Sequence, residues 1–346
     1  MKKLIASLLV IAMALSLAAC ATVEKDDTAT TSSGAAPEST WNVTRPEGLP
    51  ADFPNKEITY IYPFGVGSMQ DVYFRILAEE IKEKEGWKFS MVVKQEEGAS
   101  GDIGWTKFMQ SAPDGYTIGF APTAQQITAV SLGKEYVASN LAYIFNMMSD
   151  PGAVGVSSKS EYATMQDLIN AAKANPETVT IGVTSVSGSE GLAVIQLENA
   201  SGAKFKVVPF DGETEVLTAV AGGHCDAYCL NVGDLSTFLT EGTIKILAVG
   251  SETRSDLEPD VPTYKECGYD VIQVNSRAIA APAGTSEAII EYLSACFMAA
   301  AADPEVQEQC KEMTIPYDAK DYKDTTAMFE GYFETYQQLW QTEPWA

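Results

Sequence analysis

A single histidine, His224, serves the whole 346-residue chain. With imidazole so scarce, a zinc site built on Cys225 and Cys229 lacks its remaining ligands, and neither a metal nor another cofactor is expected. No Walker-type phosphate loop, no His-Glu-x-x-His and no Gly-x-Ser-x-Gly occurs. The commonest sequence frameworks for phosphoryl transfer, metalloproteolysis and serine hydrolysis are therefore missing. Basic residues are few as well: 23 Lys and Arg stand against 47 Asp and Glu, a formal charge of −24. That sign argues against nucleic acid and anionic lipid surfaces as partners of the folded part. After the first twenty residues, no apolar run approaches the roughly eighteen needed for a membrane-crossing helix.

What is present begins with the first residues. Lys2 and Lys3 precede an apolar run from Leu4 to Leu17, broken only by Ser7 and Ser16, and the run leads into Leu17-Ala18-Ala19-Cys20. A basic start, a run too short to span a bilayer and small residues before a cysteine have the proportions of a secretory leader ending in a lipobox. The expectation is a signal peptide over residues 1–19, lipidation of Cys20, and an extracytoplasmic protein lipid-anchored to a bacterial membrane. Loss of the two leader lysines would take the charge from −24 to −26. From Ala21 to about Pro54 the chain is dominated by Thr, Ser, Ala, Asp, Glu and Pro. Such a composition buries too little apolar surface to offset its ordering entropy, so residues 20–54 read as a flexible tether. Five cysteines follow Cys20, an odd number, which leaves at least one thiol unpaired outside the cytoplasm.

From Asn55 onward, short β-rich runs alternate with amphipathic stretches, which predicts an α/β fold with mainly parallel sheets. Strands are expected at Glu57–Tyr62, Phe89–Val93, Thr117–Ala121 and Tyr143–Met147. The pattern then restarts, with strands at Ala153–Ser157, Val179–Val183, Lys206–Val208, Ala227–Leu230, Ile244–Val249 and Arg277–Ala281. Ser68 is placed to cap a helix reaching Glu85, and Thr164 with Asp167 to start another. Three helices close the chain, and the last carries Phe329, Phe333, Tyr336 and Trp340 on one core-facing stripe. Two α/β lobes with a cleft between them is the natural arrangement.

Several strand-to-helix turns are rich in small and hydroxyl residues: Phe64-Gly65-Val66-Gly67-Ser68, Gly98-Ala99-Ser100-Gly101 and Thr184 to Ser189. In open α/β sheets, ligands gather beyond the carboxyl ends of the strands. There the first N–H groups of each helix lack backbone partners and favour an anion, by about 0.3–1 kcal/mol per helix end. Thr123 and Asn231 follow strands that should end on the same side. Catalytic readings have less support. Asp71, one turn into a helix, suits an acceptor that fixes the loop or the ligand, and His224 beside Gly222-Gly223 suits a surface turn. A secreted lipoprotein enzyme using Asp71 or His224, or a scaffold lipoprotein with an empty cleft, are the alternatives to a binding protein that is not an enzyme.

The motifs also occur in a familiar order. Tyr62-Pro63-Phe64…Gly67…Asp71…Arg75, Gly98-Ala99-Ser100-Gly101-Asp102-Ile103-Gly104, Pro113-Asp114-Gly115-Tyr116-Thr117, Val208-Pro209-Phe210-Asp211-Gly212, Gly223…Asp226, Arg254…Pro259-Asp260-Val261-Pro262-Thr263…Glu266…Gly268 and Ala281-Pro282-Ala283-Gly284-Thr285 together resemble the substrate-binding proteins of tripartite tricarboxylate transporters. The resemblance spans about Glu57 to Trp340. It implies a periplasmic-binding-protein-like clamshell with a ligand cleft between two sheets. The chain would cross to the second lobe near Met148–Gly152 and return near Val274. Residues 55–150 and 275–346 would then form the first lobe and 151–274 the second.

It further implies capture of a small carboxylate-bearing metabolite and its delivery to membrane permease subunits. The implied ligand residues are Phe64, Gly67, Ser68 and Asp71 in one loop and Gly98, Ala99 and Gly101 in the next. In the second lobe they are the turn holding Thr184, Ser187 and Ser189, then Phe210 and Asp226. Where the family usually has Pro-Gly-Gly, Asn-Arg/Lys-Pro and a Lys, this chain has Val66-Gly67-Ser68, Gln95-Glu96-Glu97 and Asp211. With Glu96, Glu97, Asp102, Asp211 and Glu213 flanking the loops, a monocarboxylate or amino-bearing carboxylate is expected over a citrate-like trianion.

Overall fold

The computed structural model describes residues 41–254, 258–313 and 315–345. The leader, Cys20 and the first part of the expected tether lie outside the described residues. The first half of the chain contains β1 (Ile58–Tyr62), α1 (Met69–Glu85), β2 (Met91–Gln95), α2 (Asp102–Met109), β3 (Thr117–Pro122), α3 (Thr123–Leu132) and β4 (Leu141–Ser157). Next come α4 (Met165–Ala174), β5 (Thr180–Val183), α5 (Ser189–Ser201), β6 (Lys206–Pro209), α6 (Glu213–Ala221), β7 (Ala227–Asn231), α7 (Ser236–Thr240) and β8 (Ile244–Val249). The chain closes with β9 (Val274–Pro282), α8 (Glu287–Ala301), α9 (Pro304–Glu312), β10 (Tyr317–Lys320) and α10 (Tyr322–Thr342).

Local chemistry accounts for many of these boundaries. The Ser68 Oγ accepts the Asp71 N–H at the start of α1, and Gly86 closes that helix in the left-handed region. Thr164 and Asp167 form the expected capping box on α4, each side chain taking the other's backbone N–H. Asp303 caps α9 with Pro304 at its first position. Helix α3 was not expected from the sequence. It follows Pro122 without a side-chain cap and lacks a clear apolar stripe, so its packing, not its pattern, holds it in place.

The strands order as β2-β1-β3-β9-β4-β7-β5-β6, with β8 and β10 each pairing with β4. The expected strands at Tyr143–Met147 and Ala153–Ser157 are one continuous strand, β4. Its residues Leu141–Pro151 pair antiparallel with β9, and Gly152–Ser157 pair with β7 and β8. Ser149-Asp150-Pro151-Gly152, between the two expected strands, stays extended because each half of β4 finds a different partner. Among the named strands, the parallel pairs are β1 with β2 and β3, and β5 with β6 and β7. The sheets are thus mixed, a correction to the mainly parallel expectation, because the chain runs along the junction repeatedly.

Each half has its own core. In the first lobe Tyr60 stacks on Phe74 of α1 with ring centroids 3.7 Å apart, and Phe145 stacks on Phe297 of α8 at 5.4 Å. In the second, Val154, Val156, Ile181, Leu197, Cys229 and Leu247 pack together with Tyr264. Each large apolar side chain so buried contributes about 1.5–3 kcal/mol. The tether ends earlier than composition suggests. Phe53 is buried, Trp41 donates to Glu85 at 2.8 Å, and Arg45 lies over the Tyr292 ring, so residues 41–54 pack on the first lobe. A few aromatic anchors outweigh the polar average there. All five described cysteines are free thiols, Cys267 half-buried and the other four buried.

Candidate ligand site at the carboxyl ends of the strands

The register brings both parallel sets to one place. Pro122, the last residue of β3, pairs with Arg277, which pairs in turn with Met148 of β4. Asn231, the last residue of β7, pairs with Gly152 a short step further along the same strand. The turns after β1, β2 and β3 and those after β5, β6 and β7 therefore converge on the middle of β4.

In the first turn, Asp71 is 1% exposed and its two oxygens are both engaged: Oδ2 accepts the Gly67 N–H at 2.8 Å and Oδ1 the Arg75 Nε–H at 3.0 Å. The Tyr62 hydroxyl lies 2.6 Å from the Ser68 Oγ. Asp71 thus holds the Gly67–Ser68 loop in shape, a role in fixing the loop that needs no proton transfer. In the second turn, Gly98, Ala99, Ser100 and Gly101 all have positive φ, at 124°, 48°, 54° and 96°. For Ala99 and Ser100 this conformation costs about 1–2 kcal/mol each, and such strain gathers where backbone groups must face a ligand. A Cβ at Gly101 would lie 2.9 Å from the Trp105 ring and 3.3 Å from that of Phe64, so the glycine lets the turn lie flat on those two aromatics.

In the second lobe, Thr184 is latched: its N–H and its hydroxyl both donate to Glu190 Oε2 at 2.7 Å. Ser187 is exposed and Ser189 half-buried at the start of α5, ahead of the latch. Phe210 is half-buried, with its ring over Gly182. Asn231 donates to Asp234 at 3.2 Å, while its Oδ1, though buried, has no hydrogen-bond partner among the described residues. Thr123 is fully buried and knits β3 to β9, its hydroxyl accepting the Ser276 N–H at 3.0 Å. Asp226 does not join this set. It precedes β7, accepts from the N–H and hydroxyl of Thr180 at the start of β5, and lines a surface cavity of about 460 Å³ at the far end of the second sheet. His224 is exposed in the turn after α6.

The charges near the loops are not the ones that adjacency suggests. Glu96 pairs with Lys94 and Lys107, whose hydrogen bonds, that of Lys107 foremost, hold its carboxyl below the usual range. Asp102 is likewise held down by Lys134 and Tyr136. The acids that do gather are Asp150, Glu190 and Asp234. Asp150 is 6% exposed, and burial lifts its carboxyl to about 6 against the Gly233 N–H and Arg277, with Asp234 adding to the rise. Burial also raises Glu190 and Asp234, and Glu213 pushes both further. Sequence reasoning missed these three and Arg277. The available signal was an arginine beginning a strand in a chain poor in bases.

A mixed α/β fold in two halves, with loops that expose backbone and hydroxyl groups around a shared junction, defines a two-lobed solute-binding protein. The chain belongs to the family described as the tripartite tricarboxylate transporter family receptor, which it matches over residues 73–338. It is 28% identical over 272 residues to the "UPF0065 protein in gbd 5'region" of Cupriavidus necator, covering 77% of this chain and 81% of that one. The crystal structure of a TctC solute binding protein from Polaromonas, without ligand, superposes with a TM-score of 0.77 at 25% identity, covering 84% of this chain and 99% of that one. An R. palustris protein solved with adipate shares the fold at a TM-score of 0.62 and 22% identity, covering 84% and 98%. Family membership makes this chain a solute-binding receptor and not an enzyme.

Proposed function

We propose that the chain is the extracytoplasmic receptor of a tripartite tricarboxylate-type transporter, binding a small carboxylate-bearing metabolite and passing it to membrane permease subunits. The ligand lies between lobes formed by residues 55–150 with 275–346 and by 151–274, against Phe64, Gly67, Ser68, Gly98, Ala99, Gly101, Ser187, Ser189, Phe210 and Asn231. The change of partner along β4 between Pro151 and Gly152 supports a hinge there. The contacts joining α3, α5 and α10 centre on Ile127, Leu192, Tyr336 and Leu339. At about 1.5–3 kcal/mol per side chain that seam is far weaker than either core, which suits opening around a rigid pair.

The observation that carries the ligand class is a single half-buried guanidinium, Arg277, acting on the buried Asp150 and the exposed Asp234, with the buried Glu190 in turn within the field of Asp234. Each uncompensated carboxylate within about 4 Å opposes an anionic group by roughly 4 kcal/mol at an effective dielectric of 20. A monocarboxylate or an amino-bearing carboxylate is therefore favoured over a citrate-like trianion. The adipate in the R. palustris protein supports carboxylates as the general class. Calorimetric titration with matched mono-, di- and tricarboxylates and an amino acid is expected to rank the singly anionic and amino-bearing acids first. At a hundred times its dissociation constant, the bound acid should add about 2.7 kcal/mol of stability. Tightest binding by a tricarboxylate at low salt would reverse this assignment of ligand class.

Lipid anchoring at Cys20 completes the proposal, on the strength of the basic start, short apolar run and Leu-Ala-Ala-Cys ending. Cys20→Ala is expected to abolish incorporation of radioactive palmitate and leave the protein unprocessed or released from the membrane. A variant that still takes up label would show that this cysteine is not the anchor.

A further inference from the structure

The chain has four arginines, and three are occupied. Arg45 donates to the carbonyls of Pro50, Ala51 and Phe53. Arg75 pairs with Asp71 and Arg254 with Glu266. Arg277 is half-buried, donates one hydrogen bond to the Asn275 carbonyl at 3.3 Å, and forms no ion pair with a described residue. A guanidinium offers five donors in a rigid fork, so one bond to the protein leaves most of its capacity open to a further partner.

Its position is central. Arg277 stands on β9 opposite both Pro122 and Met148, where the two sets of loops converge. Its field reaches Tyr62 under the first loop as well as Asp150 and Asp234 across the junction. Close by, the Thr123 hydroxyl bonds the backbone of Ser276, the neighbour of Arg277. Two residues further along α3, Gln125 is fully buried with neither amide atom hydrogen-bonded among the described residues. Buried polar atoms of this kind need a partner, which a water or a ligand group can supply.

We infer that Arg277 is the carboxylate anchor of the ligand site, with its fork taking the two oxygens and the Gln125 amide, in the first turn of the helix after β3, completing the polar contacts. This rests on the receptor reading and adds the residue that recognises the anion. If Arg277 instead only balanced Asp150 and Asp234, its loss would lower stability and leave ligand affinity nearly unchanged.

The test uses purified wild-type protein, Arg277→Gln and Arg277→Lys, titrated calorimetrically with acetate, adipate, citrate and glutamate, with melting curves recorded without ligand. For the acid that the wild type binds best, Arg277→Gln is expected to weaken binding by about a hundredfold, the effect of losing one partner of a buried charge pair. Arg277→Lys keeps the charge but loses the fork, and is expected to bind about tenfold more weakly than wild type. Affinity within threefold of wild type in Arg277→Gln would overturn the inference while the receptor reading stands. If Arg277→Gln fails to fold, undiminished affinity in Arg277→Lys overturns it equally. A wild type that binds none of the four acids would remove the carboxylate-receptor reading and this inference with it.

Discussion

Gly191→Ala is expected to destabilise the protein by roughly 2–4 kcal/mol, even though alanine in a helix normally gains about 1 kcal/mol over glycine. Gly191 lies in the first turn of α5, where an added Cβ would stand 2.1 Å from the Val186 carbonyl oxygen and 2.5 Å from its carbon. Those atoms are backbone, so no rotamer change relieves the clash. The turn before α5 folds back over the helix, the Gly191 N–H donating to Ser185 at 3.2 Å, while Thr184 is held on Glu190. Making room for the methyl group means lifting this turn away, with Ser187 and Ser189 on it. In a protein of this size the loss corresponds to a melting temperature lowered by roughly 3–6 °C, accompanied by weaker ligand binding. Equilibrium unfolding in urea measures the first effect and titration of the folded variant the second. A variant as stable as wild type would mean the turn does not sit on this helix.

Asp150→Asn is expected to do the opposite and raise stability at neutral pH. A carboxylic acid lifted from 3.8 to about 6 in the folded state binds a proton more readily folded than unfolded. Its penalty is therefore present in full above about pH 6 and vanishes below about 3.8, with an upper bound near 3 kcal/mol at 1.36 kcal/mol per unit. Asparagine keeps an oxygen for the Gly233 N–H and removes the buried charge. Glu190 and Asp234, also raised by burial, act in the same sense. Glu96, Asp102, Asp167 and Glu266 are lowered by their hydrogen bonds, and what they contribute is lost only below about pH 4.5, nearer the ordinary carboxylate range. Melting temperatures between pH 4.5 and 8 should thus rise for the wild type as the pH falls, and vary less for the variant. Parallel curves would mean that Asp150 is not the group being titrated.

Buried charges of this kind are often retained at functional sites at some cost in stability. In the proposed site Asp150 faces the amino end of the ligand. Asp150→Asn should accordingly weaken binding of glutamate while leaving a plain monocarboxylate unchanged or tighter.

The local features of this protein are legible in the amino-acid order. Ser68, the Thr164–Asp167 box and Asp303-Pro304 act within one helical turn of the backbone they cap. The glycines of the Gly98–Gly101 turn act through their own φ angles. The motif order from Tyr62 to Thr285 sufficed for the family, and with it the two-lobed fold, since each motif is a short contiguous piece. Other features depended on which distant segments meet. Nothing near Pro151 says that β4 continues through it, because continuity comes from β9 on one side and β7 and β8 on the other. Asp226 resembles a site residue by its neighbours in sequence, yet its carboxylate answers to Thr180, 46 residues away. The charge of the cleft is the clearest case. Glu96 and Asp102 adjoin the loops, but Lys107 and Lys134, brought in by folding, pair with them, while Asp150, Asp234 and Arg277, scattered along the chain, share one junction. Caps and turns are short-range, so sequence order determines them. Charge pairing and burial act through space over a few ångströms, and only the tertiary structure decides which groups come within that range.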